Sequence, residues 1–158
     1  KQPGIMENIK ATLEDFYQPM FESAVPLPGM KEAVEGLITA GVKLAIVTST
    51  PRENIDFKLN QLKLNDTLQH FEVILCAQDA ARKKPAPDPL IECCKQLGVA
   101  LSNSVYIGDS IVDIQSGRSA GMKTIAVLSG FDDLDTLCKE LPDAVISSIA
   151  DLKSIINY

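Results

Sequence analysis

Basic residues are in the minority. Fifteen lysines and arginines stand against 21 aspartates and glutamates, for a net charge of −6 and an isoelectric point near 4.8. A nucleic acid or an anionic membrane surface calls for a basic stripe, so neither is expected as the main partner. Cys76, Cys93, Cys94 and Cys138 include no CxxC pair and two of them are adjacent, which indicates neither a zinc site nor a disulfide framework. A reducing cytosol suits such cysteines. No stretch approaches about eighteen consecutive apolar residues, and the opening KQPGIMENIK lacks the hydrophobic core of a signal peptide. The expectation is a soluble, cytoplasmic chain without internal repeats or low-complexity segments.

What the sequence does contain is enough apolar material for a core. At 158 residues and 46% hydrophobic content, the chain is one domain's worth and long enough to bury about two thirds of its unfolded surface. Short apolar runs recur at VKLAIV (42–47), FEVIL (71–75), SVYIG (104–108), KTIAVL (123–128) and DAVI (143–146). Each is too short for a core helix and too continuous for a half-solvated strand, which suits parallel strands covered on both faces. Helical patterns lie between and around them at 29–40, 51–62, 88–97, 111–120, 133–140 and 149–157. The alternation predicts an α/β fold, a three-layer doubly wound parallel sheet. A further helical stretch at 5–23 is cut off by the prolines of VPLPG, dividing the chain into 1–24 and 25–158.

In open α/β sheets ligands bind beyond the carboxyl ends of the strands, so the residues after each run carry the functional reading. After VKLAIV come Thr48 and Ser49, hydroxyls at a strand-to-helix turn where free amides and a helix N-terminus favour an anion. Thr50, with Pro51 and Glu53, reads as a capping box and is assigned to structure. After FEVIL, Lys84 precedes Pro85, which pushes it into extended geometry on a loop, while Asp88 before Pro89 reads as a helix N-cap. After SVYI, Gly108 is followed by Asp109 and Asp113, four apart and on one face of a helix start. An unpaired carboxylate at the end of a buried strand is costly, so Asp109 calls for a counter-charge such as Mg²⁺, and Lys84 is a second cation, suited to Asp113.

A strand ending in Thr48, then Lys84 in KPAPD, then GDSIVD closely resembles motifs two, three and four of the haloacid dehalogenase (HAD) superfamily. KKPAPDP and PLPGMKEAVEGL are most similar to its phosphoglycolate phosphatase and β-phosphoglucomutase branch, and the resemblance covers about residues 25–158. It implies that Thr48 and the Ser49 amide bind a phosphoryl group, that Lys84 neutralises phosphate and nucleophile, that Asp109 ligates Mg²⁺, and that Asp113 ligates it or orients Lys84. The implied function is a Mg²⁺-dependent hydrolase acting as a phosphatase on a small phosphorylated metabolite. Residues 5–23 resemble the last helix of a helical cap. A receiver-like signalling domain, which also groups acids, a hydroxyl and a lysine, is set aside because it places its acids first and its lysine last.

The family's first motif, a strand ending in DxDxT or DxDxV with the aspartate nucleophile, has no counterpart in these residues. The nearest string, FDDLDTL at 131–137 with Asp133 and Asp135, begins an amphipathic helix and follows no strand, so it is read as a decoy. The resemblance therefore implies a core lacking its first strand, inactive by itself, which a missing N-terminal segment or a second chain would complete. The alternative is a catalytically inactive binding or interaction module. An unfilled gap among interior strands would leave about eight buried backbone groups unmet at roughly 1–3 kcal/mol each, so the strands at 42–47 and 104–108 are expected to pair or to receive another segment between them.

Overall fold

The computed structural model describes residues 4, 5, 25–61 and 65–155. The helical stretch expected at 5–23 falls, past its first residue, outside the described residues, and with it the boundary at 24. From residue 25 onward helices and strands alternate as expected: α1 (Met30–Thr39), β1 (Leu44–Val47), α2 (Arg52–Gln61), α3 (Asn65–Leu68), β2 (Phe71–Leu75), α4 (Asp88–Leu97), β3 (Val105–Gly108), α5 (Ile111–Ala120), β4 (Lys123–Val127), α6 (Leu134–Lys139) and β5 (Ala144–Ile146). The one-turn α3 and a 3-10 turn at Leu101–Asn103 carry too few residues for a periodicity to reveal. The segment expected as a helix at 149–157 is instead a 3-10 helix, Ile149–Ser154, closed at its start by Ser148 and Asp151 in a reciprocal capping box. It docks Leu152 into the core, and Gly29, at a left-handed φ of 78°, meets Ala150 so closely that a side chain at Gly29 would overlap it.

All strand pairs are parallel, but the sheet comes in two pieces. β1 pairs with β2 in register Ala45↔Val73, and β3, β4 and β5 pair in that order with Ile107↔Ile125 and Ala126↔Val145. Among the described residues β1 and β3 do not pair. The strand buried on both faces is β4, where Thr124 to Val127 are all buried. The expectation that 42–47 and 104–108 are fully interior is corrected: Ala45 to Val47 and Tyr106 to Gly108 are half-buried and Val105 is exposed. Their outer backbone groups are therefore not sealed from water, and the cost of unmet buried groups that would force the two strands together does not arise.

Side chains bridge the break. Leu44 of β1 packs with Ile125, Val127, Ile146, Leu37 and Leu152 in one cluster, to which Ile107 of β3 is joined. On the opposite layer α4 turns Leu90, Cys93, Cys94 and Leu97 inward at helical spacing, against Val73 and Leu75 of β2 and against Ala120 of α5 and Met122 just after it. Helix α5 lies close to the sheet because Gly117 faces the buried Thr124 of β4, where a methyl group would overlap the threonine methyl. Gly117→Ala should therefore lose more by overpacking than it gains in helix propensity, for a net cost of about 1–2 kcal/mol read from the urea midpoint.

Candidate functional site

Lys84 and Asp113 meet at the carboxyl ends of the strands. Lys84 Nζ donates to Asp113 Oδ1 at 2.6 Å and to the Tyr106 hydroxyl at 2.9 Å, and lies 3.5 Å from the Val47 carbonyl. Both side chains are buried, 10% and 8% exposed. The Tyr106 hydroxyl is also 3.0 Å from Asp113 Oδ1 and 3.3 Å from the Val47 carbonyl, and Ser110 Oγ donates to Asp113 Oδ2 at 2.6 Å. Gly108 is where it is because Asp113 lies directly over it, leaving no room for a Cβ. Burial pushes the Asp113 carboxyl up, but the Lys84 ammonium, with Ser110 and Tyr106, outweighs it and holds the group below the usual carboxylate range. Burial, then the neighbouring Asp113 charge, pushes the Tyr106 phenol well above its ordinary value, so it stays a neutral donor.

Thr48 continues the β1 ladder by donating its amide to the Leu75 carbonyl at 2.9 Å, and then the chain turns. Its hydroxyl accepts from the Thr50 amide at 3.0 Å and so retains its own proton to donate. With exposed Ser49, it lines a pocket shared with Cys76, Ala77, Lys83, Lys84 and Pro89. The capping box expected at Thr50 and Glu53 is replaced by longer-range contacts. The Glu53 carboxylate accepts from Gln78, the Thr50 hydroxyl from Lys58, and the Arg52 amide at the start of α2 donates to Gln78 Oε1 at 3.1 Å. Asp88 stands one residue inside its helix and not at the N-cap, which is Pro87, because its carboxylate is engaged by the Arg82 guanidinium at 3.0 and 2.9 Å.

Asp109 sits beyond β3 and faces a different neighbour, the loop at 130–132. Its Oδ2 accepts from the Phe131 amide at 3.0 Å, and its carbonyl accepts from the Asp132 amide at 3.0 Å. No group of three acidic, thiol or imidazole side chains able to hold a metal occurs among the described residues. Mg²⁺ does not require such a cage, since it is bound through one or two carboxylates together with waters and substrate phosphate oxygens. The residues fit that simpler mode through Asp109 Oδ1. Asp113 Oδ1 is engaged by Lys84 and Tyr106 and Oδ2 by Ser110, so this carboxylate orients Lys84.

Sequence reasoning missed two members of this arrangement. Tyr106 reads as a strand residue, and its one signal is a polar tip in an otherwise apolar run. Asp132 has no local signal, since its partner Ile111 is 21 positions away. Asp133 is the N-cap of α6, with Oδ1 accepting from the Thr136 amide at 2.9 Å, in keeping with a decoy.

Residues 1–127 match the family model described as haloacid dehalogenase-like hydrolase. The chain is 35% identical over 156 residues to the pyrophosphatase PpaX of Halalkalibacterium halodurans, an alignment covering 98% of this chain and 71% of that protein. It is 28% identical over 145 residues to the phosphoglycolate phosphatase of Escherichia coli K12, covering 91% of this chain and 56% of that one. The chain thus spans just over half the length of the phosphoglycolate phosphatase it matches. Among solved structures, a candidate β-phosphoglucomutase from Thermotoga maritima superposes with a TM-score of 0.84 at 24% identity, over 98% of this chain and 72% of the other. A hydrolase from Pseudomonas syringae superposes at 0.82 with 25% identity, over 96% and 73%. The superpositions show the shared α/β fold.

The ion pair makes a pH-dependent prediction. Because the folded pKa of Asp113 lies below its unfolded value of about 3.9, its stabilisation is complete above that value and is lost as pH falls through the folded one. Asp113→Asn leaves the Lys84 ammonium buried without its counter-ion and should cost about 3–5 kcal/mol at pH 7. Urea titrations at pH 7, 5, 4 and 3 should show the gap between the two proteins narrowing only below about pH 4.

Proposed function

The chain belongs to the haloacid dehalogenase-like hydrolases, in the branch that holds phosphoglycolate phosphatases and β-phosphoglucomutase-like proteins, and from that premise we propose that it forms the phosphoryl-binding part of a Mg²⁺-dependent phosphatase acting on a small phosphorylated metabolite. One observation carries the reading: Thr48, Ser49 and Lys84 line one pocket, and the buried Asp113 holds Lys84 there. A terminal phosphoryl group is the ligand class common to a pyrophosphatase and a phosphoglycolate phosphatase, which the relatives are named as.

In that pocket the Thr48 hydroxyl, the Ser49 amide and the Lys84 ammonium bind and orient the phosphoryl oxygens. Lys84 also lowers the repulsion between the phosphate and an approaching carboxylate. Asp113 and Tyr106 keep the ammonium from turning away into solvent. Asp109 would hold a Mg²⁺ ion, which would supply further neutralisation of phosphoryl charge. The attacking carboxylate would come from a further segment or a second chain pairing in the break between β1 and β3. Cysteines that form no disulfide among the described residues suit a reducing compartment such as the cytosol.

Two measurements test the reading. The 158-residue chain should bind inorganic phosphate in the presence of Mg²⁺ by calorimetry, and Lys84→Ala should weaken that binding about 10- to 100-fold, the value of one charge-assisted hydrogen bond. Hydrolysis of p-nitrophenyl phosphate by the chain should be no faster than by Asp109→Asn, because neither protein carries the attacking group. Absence of phosphate binding would remove the reading, and Mg²⁺-dependent turnover abolished in Asp109→Asn would place the nucleophile within these residues.

A further inference from the structure

The stretch that imitates a two-aspartate motif lies against the candidate metal ligand. Leading into it, residues 130–132 grip residues 109–111 through three hydrogen bonds. The Phe131 amide donates to Asp109 Oδ2, the Asp132 amide donates to the Asp109 carbonyl, and Asp132 Oδ2 accepts from the Ile111 amide at 2.8 Å. Gly130 completes the clasp, since a Cβ there would overlap the Asp109 carboxylate. Asp132 is needed for the Ile111 amide because Ser110, which stands at the N-cap of α5, makes no side-chain cap and gives its hydroxyl to Asp113. One carboxylate therefore closes the start of α5 and at the same time anchors the loop whose amide holds Asp109.

We propose that Asp132 is a positioning residue for a divalent cation on Asp109, aiming that carboxylate without touching the ion. The proposal rests on the assignment of Asp109 as the cation ligand. A hard cation demands well-directed oxygens, and groups that orient a ligand are worth about 10- to 100-fold in metal affinity. With Oδ2 tied to the Phe131 amide, Oδ1 is the oxygen directed to the ion. The Asp132 carboxylate acts through the Ile111 amide and not through its charge, so an amide side chain that still accepts from Ile111 will serve in its place.

The test is a Mn²⁺ titration of the 158-residue chain followed by paramagnetic broadening of backbone amide signals, which also reports whether each variant is folded. In the unmodified chain the amides around 109–113 and 130–131 should broaden, and in Asp109→Asn they should not. Asp132→Ala should need at least about tenfold more Mn²⁺, whereas Asp132→Asn should follow the unmodified chain. Gly130→Ala, which alters no charge, should lose affinity in the same way as Asp132→Ala, and stands in for it if that variant does not fold. Asp133→Ala, which removes only the α6 cap, should bind as the unmodified chain does. Equal Mn²⁺ binding in Asp132→Ala and the unmodified chain would overturn the clasp and leave Asp109 as the ligand. Equal losses in Asp132→Ala and Asp132→Asn would overturn it by making Asp132 a ligand through its charge. Unchanged binding in Asp109→Asn, or no binding in the unmodified chain, would overturn the ligand assignment and the clasp with it.

Discussion

The buried pair of Lys84 and Asp113 is the constraint around which the carboxyl edge of the sheet is organised. Two charges withdrawn from water are tolerated only when their geometry is good and their remaining donors and acceptors are met. Lys84 meets this through Asp113, Tyr106 and the Val47 carbonyl, and Asp113 through Lys84, Tyr106 and Ser110. These partners come from β1, the loop after β2, β3, and the first turn of α5. A single ion pair thus ties the two pieces of sheet at the edge where the pocket opens. Gly108 belongs to the same constraint, because any side chain there would displace Asp113.

The break in the sheet has a second consequence. In a continuous parallel sheet the Val47 carbonyl would accept from a strand amide, whereas here it faces the tip of Tyr106 and the end of Lys84. Below that level side chains join the two pieces, through the cluster that includes Leu44, Ile125 and Val127. Non-directional apolar packing keeps β1 and β3 in one domain although, among the described residues, they make no backbone pair with each other.

Acidic residues near one another in sequence have separate duties here, set by what each carboxylate touches. Asp113 neutralises a buried ammonium, Asp109 is held by the Phe131 amide, Asp132 closes α5, and Asp133 closes α6. Only the last of these duties involves partners within one turn of the chain. The others join residues 21 to 29 positions apart.

That difference in range separates what the sequence by itself determined from what the tertiary structure decided. Strand and helix alternation, the ends of α4 and α5, and the placement of Thr48, Lys84, Asp109 and Asp113 after successive strands follow from periodicity, Pro and Gly punctuation and the rule that α/β sites lie at carboxyl ends, all of which act over a few residues. Residue choices at Gly108, Gly117 and Gly130 have no local cause and are explained only by Asp113, Thr124 and Asp109 lying against them. Likewise the capping box at Thr50 and Glu53 is a sound local pattern that is not made, because Glu53 is taken by the distant Gln78 while Thr50 is engaged by Thr48 and Lys58. Tyr106 and Asp132 entered the site for the same reason: their partners are brought within hydrogen-bonding distance by the packing of β3 and α5, and no spacing along the chain encodes that meeting.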